Sequence, residues 1–495
     1  MVPSPFVLLV LGVGVLLAAA CVLVARRQWF VSDDFLFLFV AQKPKDWLVW
    51  THTFFPFEGR LWWSYRPLSI DVFFYLCFRA FGFDPFGYIL VVLAIHFCSG
   101  LIVYRLSTQL GFDHRVAALT ALLSVTRYPS TTDCFWISAF QHVGTKCLFL
   151  LTVSVFLDYV RTGRWHHQLA SCATLELALL CNESAATLPV VLLLVVLCEA
   201  DCGVSLGARL ARIFKVLPQV ILTAAYLVMR LKLFGPVTIP LPPMYTPALG
   251  WHIIGNCRQY LLFVFDNDPL KLEVAVAAAA AILVIVVADP QRRRELLASL
   301  LRCNLLCAGW ILTALVPFVG FGWTFYRFAI NIEAPMCLLF GAYVNALWQR
   351  CSPQHARLLE GLLLGVIVSA LPYRTLSLRA NEPQGLPIER FVALMQSKHP
   401  HLQPGACVVV LYGAPGLASP AEAEDFRFRA DFGYVLKALY REENLALDLY
   451  DARQGVPPWV RQRRCVLLAL RPGLQIEIAD PHLVEQMQTS SKNAS

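Results

Sequence analysis

Long apolar stretches alternate with short polar segments along most of the chain. About 20 apolar residues are needed to cross a bilayer as a helix, and eleven stretches approach or reach that length. They are 6–25, 86–105, 115–131, 140–159, 167–181, 184–199, 216–233, 273–288, 296–317, 328–348 and 357–372. Composition agrees, because 58% of the 495 residues are hydrophobic and only 15% are charged. The pattern predicts a polytopic α-helical membrane protein with about 11 spans.

The polar loops between these spans differ in charge. Five of them are rich in Lys and Arg, and all five fall on one side if the N-terminus is cytoplasmic: 105–115, 161–167, 208–215, 291–295 and 348–357. Basic loops mark the cytoplasmic side. The net charge of +8 is spread over these loops, which suits topology and anionic lipid headgroups and not nucleic acid. We therefore expect a cytoplasmic N-terminus, with Arg26 and Arg27 as exceptions to the charge rule.

The chain changes character after the last predicted span. Residues 406–413 and 464–470 have the apolar composition of buried strands, and 424–443 have the pattern of an amphipathic helix. We predict two domains, a membrane domain at 1–372 and a small extracytoplasmic α/β domain at 373–495.

The first outer loop contains two aromatic, amphipathic segments, 47–57 and 65–82. Trp and Tyr favour the headgroup level, so we predict that these segments are helices lying in the membrane interface.

Acidic residues lie next to predicted spans on the predicted outer face. They are Asp33 and Asp34 in "QWFVSDDFLFLFV", Asp133 in "RYPSTTDCFWIS" and Glu183 in "LLCNESAATLP". Charges at a membrane boundary are costly and often functional. Each also has a structural interpretation, as a helix cap or a solvated loop residue.

Basic residues on the same predicted face are candidates for binding an anionic substrate: Arg60, Arg66, Lys146, Arg258 and Arg327. Arg gives bidentate contacts to phosphate, although anchoring to lipid headgroups is the alternative for each residue. The histidines and the 16 cysteines show no spacing suited to zinc. No phosphate-binding G-x-x-x-x-G-K-[ST] or G-x-G-x-x-G motif is present.

The order of these features resembles that of the multi-span glycosyltransferases with the C-type fold, which include protein O-mannosyltransferases and the lipid A aminoarabinose transferase. An acidic pair ending the first span is followed by "YRPLS", "FGFDPFGYILVVLAIHFCSGLIVYRL", "RYPSTTDCFWIS", "LLCNESAATLP" and a late "YRF". The resemblance covers residues 1–372.

The resemblance implies a sugar donor carried on a polyprenyl phosphate, and transfer on the outer face to a protein, lipid or glycan acceptor. It implies that Asp33 or Asp34 is the general base, with a slight preference for Asp34, and that Asp133 is a second acid of the site. The expected location is a bacterial inner membrane. Cations, or a divalent metal such as Mg²⁺ or Mn²⁺, would stabilise the leaving phosphate. A single displacement would invert the anomeric carbon.

One position departs from the class. Many members have a Lys that contacts the donor phosphate where this chain has Asn182, beside Glu183. Phosphate binding would then fall to Arg66, Arg258 or Arg327. Three alternatives stay open: a transporter or flippase for a lipid-linked substrate, an oligosaccharide polymerase or ligase, and an inactive scaffold.

Overall fold

The computed structural model describes most of the chain. The described residues are 5–43, 50, 53–54, 65–199, 212–234, 248–288, 293–350, 352, 354–355, 359–363, 365, 373–381, 385–454 and 465–479. Arg60 and most of the predicted span 357–372 lie outside them.

The described part of the first 350 residues is helical. Its helices are α1 (Pro5–Ala25), α2 (Asp34–Gln42), α3 (Phe73–Phe81), α4 (Pro85–Gln109), α5 (His114–Val125), α6 (Tyr128–Asp133), α7 (Phe140–Thr162), α8 (Trp165–Cys181), α9 (Leu188–Cys198), α10 (Leu217–Phe234), α11 (His252–Val264), α12 (Pro269–Val287), α13 (Arg293–Leu315) and α14 (Ile330–Trp348). Short 3-10 helices at Ile137–Ala139, Glu183–Thr187 and Tyr326–Ala329 precede α7, α9 and α14.

Seven helical segments within the described residues are long and apolar enough to cross a membrane. They are Pro5–Ala25, Pro85–Gln109, Ile137–Thr162, Phe214–Lys232, Pro269–Val287, Arg294–Leu315 and Tyr326–Trp348. Two shorter apolar helices, His114–Val125 and Glu183–Cys198, match predicted spans as well. The protein is thus a multi-pass membrane protein, as predicted, while the total of eleven spans stays a prediction.

The helix α14 lies at the centre of the bundle, because 67% of its 18-residue apolar stretch is buried inside the protein. By contrast, only 11% of the corresponding stretch in α12 is buried, so that helix presents its side chains to lipid. The central helix approaches α5 closely at Gly341. A Cβ atom there would lie 2.3 Å from Oγ1 of Thr120, so the contact needs glycine.

The connection between α2 and α4 contains helices of its own. The predicted amphipathic segment 65–82 contains a π-helix, Pro67–Val72, that continues into α3. Gly82 ends α3 at a positive φ of 58°, and Asp84 caps the next helix by accepting a hydrogen bond from the Phe86 N–H at 3.0 Å. The helix α11 was not predicted, because it lies between the predicted spans 216–233 and 273–288.

The C-terminal part contains a four-stranded sheet, as the α/β prediction requires. Its strands are β1 (Cys407–Tyr412), β2 (Ala446–Asp451), β3 (Cys465–Arg471) and β4 (Gln475–Ile478), and its helices are α15 (Tyr373–Asn381), α16 (Leu386–Lys398), α17 (Pro420–Arg429) and α18 (Tyr434–Tyr440). The strand order is β2-β1-β3-β4, in which β1 pairs parallel with both neighbours and β4 is antiparallel to β3.

The two predicted strands correspond to β1 and β3, while β2 and β4 were missed. The prediction of one helix over 424–443 was wrong. Two helices, α17 and α18, occupy this region, because Asp431, Phe432 and Gly433 all adopt positive φ and end the first helix. The boundary at residue 372 stays a prediction.

Candidate active site

The acidic pair lies in a tight turn between α1 and α2. Asp34 is almost completely buried, with 1% of its surface exposed. Its Oδ2 accepts a hydrogen bond from the Val31 N–H at 3.0 Å, and its Oδ1 accepts one from the Ser138 N–H at 2.7 Å. Asp34 therefore joins the acidic turn to the short helix Ile137–Ala139. Burial raises the pKa of the Asp34 carboxyl to about 8, although the two backbone donors oppose that rise.

Asp33 is half-buried and forms fewer hydrogen bonds than Asp34 among the described residues. Among the described residues, its side chain accepts one long hydrogen bond, from the Ser32 hydroxyl at 3.5 Å. Burial raises the pKa of the Asp33 carboxyl, and the nearby guanidinium groups of Arg327 and, to a smaller extent, Arg66 oppose that rise. Asp33 is thus a half-buried carboxyl group whose protonation is influenced by two cations, which suits proton transfer to or from a substrate.

Asp133 lies at the end of α6 and is fully buried. Neither of its carboxyl oxygens has a hydrogen-bond partner among the described residues. Burial raises the pKa of this carboxyl well above its usual range, and Arg327 is the largest opposing influence. An unsatisfied buried carboxyl is unusual, so a sugar hydroxyl or a cation is a reasonable partner for it.

Lys146 belongs to a buried network. Its Nζ donates to Oε2 of Glu333 at 2.8 Å, to Oγ of Ser130 at 2.6 Å and to the Ser124 carbonyl at 3.2 Å. Glu333 also accepts a hydrogen bond from the Ser130 N–H at 2.9 Å. The three donors of the ammonium are therefore used within the protein, and the network fixes α6, which carries Asp133, against α7 and α14.

Glu183 pairs with Arg66 in a bidentate ion pair. The Arg66 Nε and Nη2 atoms donate to the two carboxylate oxygens at 2.7 Å each, while Nη1 donates to Gln141. Arg230 approaches the same carboxylate at 3.4 Å. Asn182, the position that departs from the class, caps the helix that follows, since its Oδ1 accepts from the Ser184 N–H at 2.9 Å. The helix cap that was the structural interpretation of Glu183 is therefore provided by its neighbour Asn182.

Arg327 differs from Arg66 and Lys146, which are each paired with a Glu. It lies in the short helix before α14, with its guanidinium carbon 4.7 Å from the centre of the Trp136 ring. It forms no ion pair with any residue that the structure describes, and its buried Nε–H has no acceptor there. Its charge acts on both Asp33 and Asp133. The charge of Arg327 therefore influences the protonation of both carboxyl groups.

Arg258 does not join this group. Arg258 is exposed on α11 and lines a separate cavity of about 420 Å³ with Glu273. Arg60 lies outside the described residues. Within the described ranges, no set of three or more His, Cys, Asp or Glu side chains is arranged to hold a metal ion, so a divalent metal stays a prediction.

Sequence reasoning missed several residues around the site. Gln141 and His142 begin α7, and His142 packs its ring 5.7 Å from that of Phe328. Glu333 could have been found, because a carboxylate inside an apolar span signals a buried partner. Asp431 gave no such signal, since it lies in the C-terminal α/β part and is brought next to Leu36 only by the fold.

A large apolar groove lies on the membrane-embedded surface, and Asp33, Asp133 and Arg327 are not among the described residues that line it. Its volume is about 710 Å³, and its walls come mainly from α12 and α14. Arg127, Asp266 and Lys271 provide polar groups in an otherwise apolar lining. Arg127 immediately precedes α6, so the groove extends towards the segment that carries Asp133.

Comparison with solved structures identifies the fold. ArnT from Cupriavidus metallidurans bound to undecaprenyl phosphate matches with a TM-score of 0.52 at 13% identity, over 88% of this chain and 86% of that one. Its apo state gives 0.52 at 13% identity, over 90% of this chain and 85% of that one. The mycobacterial arabinofuranosyltransferase AftD gives 0.49 at 15% identity, over 88% of this chain and 31% of that one. No protein-family model and no curated protein sequence matches the chain.

The chain has the C-type fold of multi-span membrane glycosyltransferases, as the sequence resemblance implied. At 13% identity the match to ArnT establishes architecture and not chemistry. The residues of the site must therefore carry the functional argument.

Proposed function

We propose that this protein is a membrane glycosyltransferase that moves a sugar from a polyprenyl-phosphate donor to an acceptor hydroxyl or amine at the membrane surface. The observation that carries the proposal is that the half-buried Asp33 lies within electrostatic range of Arg327, which forms no ion pair with any described residue, in a chain with the C-type fold. Such a pair supplies a base for the acceptor and a counter-charge for a leaving phosphate.

In this mechanism Asp33 is the general base. The acceptor oxygen or nitrogen forms a bond to the anomeric carbon as its proton passes to the Asp33 carboxylate, and the bond to the phosphate oxygen breaks. A single displacement inverts the anomeric carbon. Asp33 is favoured over Asp34, reversing the preference drawn from sequence, because both oxygens of Asp34 already accept backbone hydrogen bonds. Asp34 holds the turn in place.

The departing polyprenyl phosphate needs positive charge near its oxygens. Arg327 is best suited, since it has no acidic partner among the described side chains. Arg66 adds to the potential but is held by Glu183, and Lys146 is held by Glu333. Arg327 would replace the Lys that many class members have at the position of Asn182. Asp133, buried and unpartnered among the described residues, suits a hydroxyl of the donor sugar.

The lipid part of the donor has a natural place in the apolar groove of about 710 Å³. ArnT, which shares the fold, was solved with undecaprenyl phosphate bound. A polyprenyl chain lying between α12 and α14 would keep its phosphate near the segment between Arg127 and Asp133. The apolar lining of the groove supports a donor with a lipid chain.

Binding of undecaprenyl phosphate tests the donor class without knowledge of the sugar. We expect the purified full-length protein to retain the lipid in native mass spectrometry. Arg327→Gln should bind it at least about tenfold more weakly, because a charge-assisted hydrogen bond contributes about 1.5–3 kcal/mol. Arg164→Gln is the matched control, since Arg164 is exposed at the opposite end of the bundle. Equal binding by all three proteins would contradict the proposal.

A reconstituted assay separates transfer from transport. Proteoliposomes supplied with a panel of undecaprenyl-phosphate pentoses and hexoses should release free undecaprenyl phosphate when an acceptor extract is present. A flippase would move the lipid between leaflets with the sugar still attached. Lipid translocation that persists in Asp33→Asn, without any sugar release by the unmodified protein, would favour the transporter.

A further inference from the structure

The C-terminal domain contacts the acidic turn on both sides of Asp33. The Ser32 N–H donates a hydrogen bond to the Arg429 carbonyl at 2.9 Å. The Leu36 N–H donates to Oδ2 of Asp431 at 3.0 Å. These bonds join positions about 400 residues apart in the chain, and Asp431 is itself only 5% exposed. We call residues 429–433 the clamp loop.

Both partners of this contact have strained backbones. Ser32 has a φ of +54°, and Asp431 and Phe432 in the clamp loop have φ values of +49° and +50°. Residues other than glycine rarely adopt this region, and several such residues together persist only when the surrounding structure holds them. Three of the seven described non-glycine residues with positive φ therefore lie where the two domains meet, next to the proposed base.

The helix α2 shows what the contact does. An Asp immediately before a helix normally turns its own carboxylate onto an N–H of the first turn. Here Asp33 has φ −48° and ψ −16°, a helical conformation, and makes no capping hydrogen bond. The N–H of Leu36, which an N-cap would take, is occupied by Asp431 instead. A carboxylate from the other domain thus performs the capping that Asp33 does not.

We propose that the C-terminal domain is a working part of the active site: the clamp loop caps α2 through Asp431 and so keeps the Asp33 side chain free to face the substrate. The proposal rests on the proposed role of Asp33 as the base. In it, Asp431 is a positioning residue, which acts through Asp33 and does not touch the sugar.

The neighbouring charges include Asp33 itself, whose charge adds to burial in raising the pKa of Asp431. Arg429 pairs with Asp425 at 3.0 Å. Other contacts lie further along α2, where the Phe39 ring is 6.2 Å from that of Tyr434 and Gln42 donates to the Ala438 carbonyl at 2.9 Å. Just beyond the two helices, Lys43 pairs with Glu443. These outer contacts dock the domain without reaching Asp33, and they provide a control.

Carbodiimide labelling of Asp33 tests the proposal without a transfer assay. The full-length protein in detergent is treated at one pH with a water-soluble carbodiimide and glycine ethyl ester, and Asp33 modification is followed by peptide mass spectrometry. In Asp431→Ala we expect Asp33 to turn onto the vacated Leu36 N–H and to label about fivefold more slowly, the factor that corresponds to a cap of about 1 kcal/mol. Asp431→Asn, which still accepts that hydrogen bond, should label like the unmodified protein.

Glu443→Gln is the matched control, because it weakens the docking of the same domain at an exposed ion pair. It should leave Asp33 labelling unchanged. Unaltered labelling in Asp431→Ala, or equal slowing in Asp431→Asn and Asp431→Ala, would overturn the clamp. Those results concern Asp33 geometry alone, whereas failure of the proposed function would appear as absent sugar transfer by the unmodified protein with the labelling pattern intact.

Discussion

The buried pair of Lys146 and Glu333 allows a quantitative test of how the site is held. Their side chains are 2% and 0% exposed and lie 2.8 Å apart. Lys146→Met would leave the Glu333 carboxylate buried, with only the N–H and hydroxyl of Ser130 as donors. Removing one partner of a buried ion pair costs about 3–5 kcal/mol, so we expect a loss of unfolding free energy of that size.

The double variant Lys146→Met/Glu333→Gln should recover most of this loss. The amide introduced by Glu333→Gln can accept from the Ser130 N–H and donate to the Ser130 hydroxyl, so no buried charge remains and few polar groups lose their partner. We would measure unfolding in mixed dodecyl maltoside and dodecyl sulfate micelles by tryptophan fluorescence. A single variant within about 0.5 kcal/mol of the unmodified protein, or a double variant less stable than the single one, would refute the reasoning.

Three further predictions use the same unfolding measurement. Asp34→Asn should lose about 1–3 kcal/mol, because an amide has one acceptor atom and leaves one of two buried backbone N–H groups unpaired; unchanged stability would argue against its structural role. Burial raises the pKa of the Asp431 carboxyl to about 7. Between about pH 4 and about pH 7 the folded protein therefore keeps a proton on Asp431 that the unfolded chain has lost. Stability should therefore fall as pH rises from about 4 to about 7, and Asp431→Asn should show a smaller fall; an identical slope would contradict this. Glu183→Gln should cost about 1.5–3 kcal/mol by weakening its bidentate bond to Arg66, and a neutral effect would show that the pair is not held in solution.

Much of the membrane domain follows from local pattern. Apolar length alone predicted the spans that correspond to α1, α4 and α7, because lipid imposes the same requirement on every crossing helix. The wrong prediction was of one helix over 424–443, where the residue pattern does not reveal the turn that divides it. The segment 424–443 has helical periodicity, but a strained turn at Asp431 and Phe432 divides it, and the Leu36 N–H that Asp431 accepts from belongs to the other domain.

The candidate site was predicted in part. The motif order predicted Asp33, Asp133 and Arg327 as site residues, and in the fold the charge of Arg327 acts on both carboxyl groups, while their roles stay predictions. Sequence could not separate the roles of Asp33 and Asp34. The two differ because Asp34 accepts hydrogen bonds from the N–H groups of Val31 and Ser138, and Ser138 is 104 positions away along the chain. Sequence could not show that Lys146 is neutralised by Glu333, because the two residues are 187 positions apart.

The most direct test of the account compares Asp33→Asn and Asp34→Asn in single-turnover sugar transfer. Proteoliposomes would carry whichever undecaprenyl-phosphate sugar the unmodified protein accepts, with undecaprenyl phosphate binding measured on the same preparations. Loss of the general base should slow transfer by Asp33→Asn about 10²–10⁴-fold, with lipid binding within about twofold of normal. Transfer by Asp33→Asn at the unmodified rate would contradict the central claim, whatever the effect of Asp34→Asn.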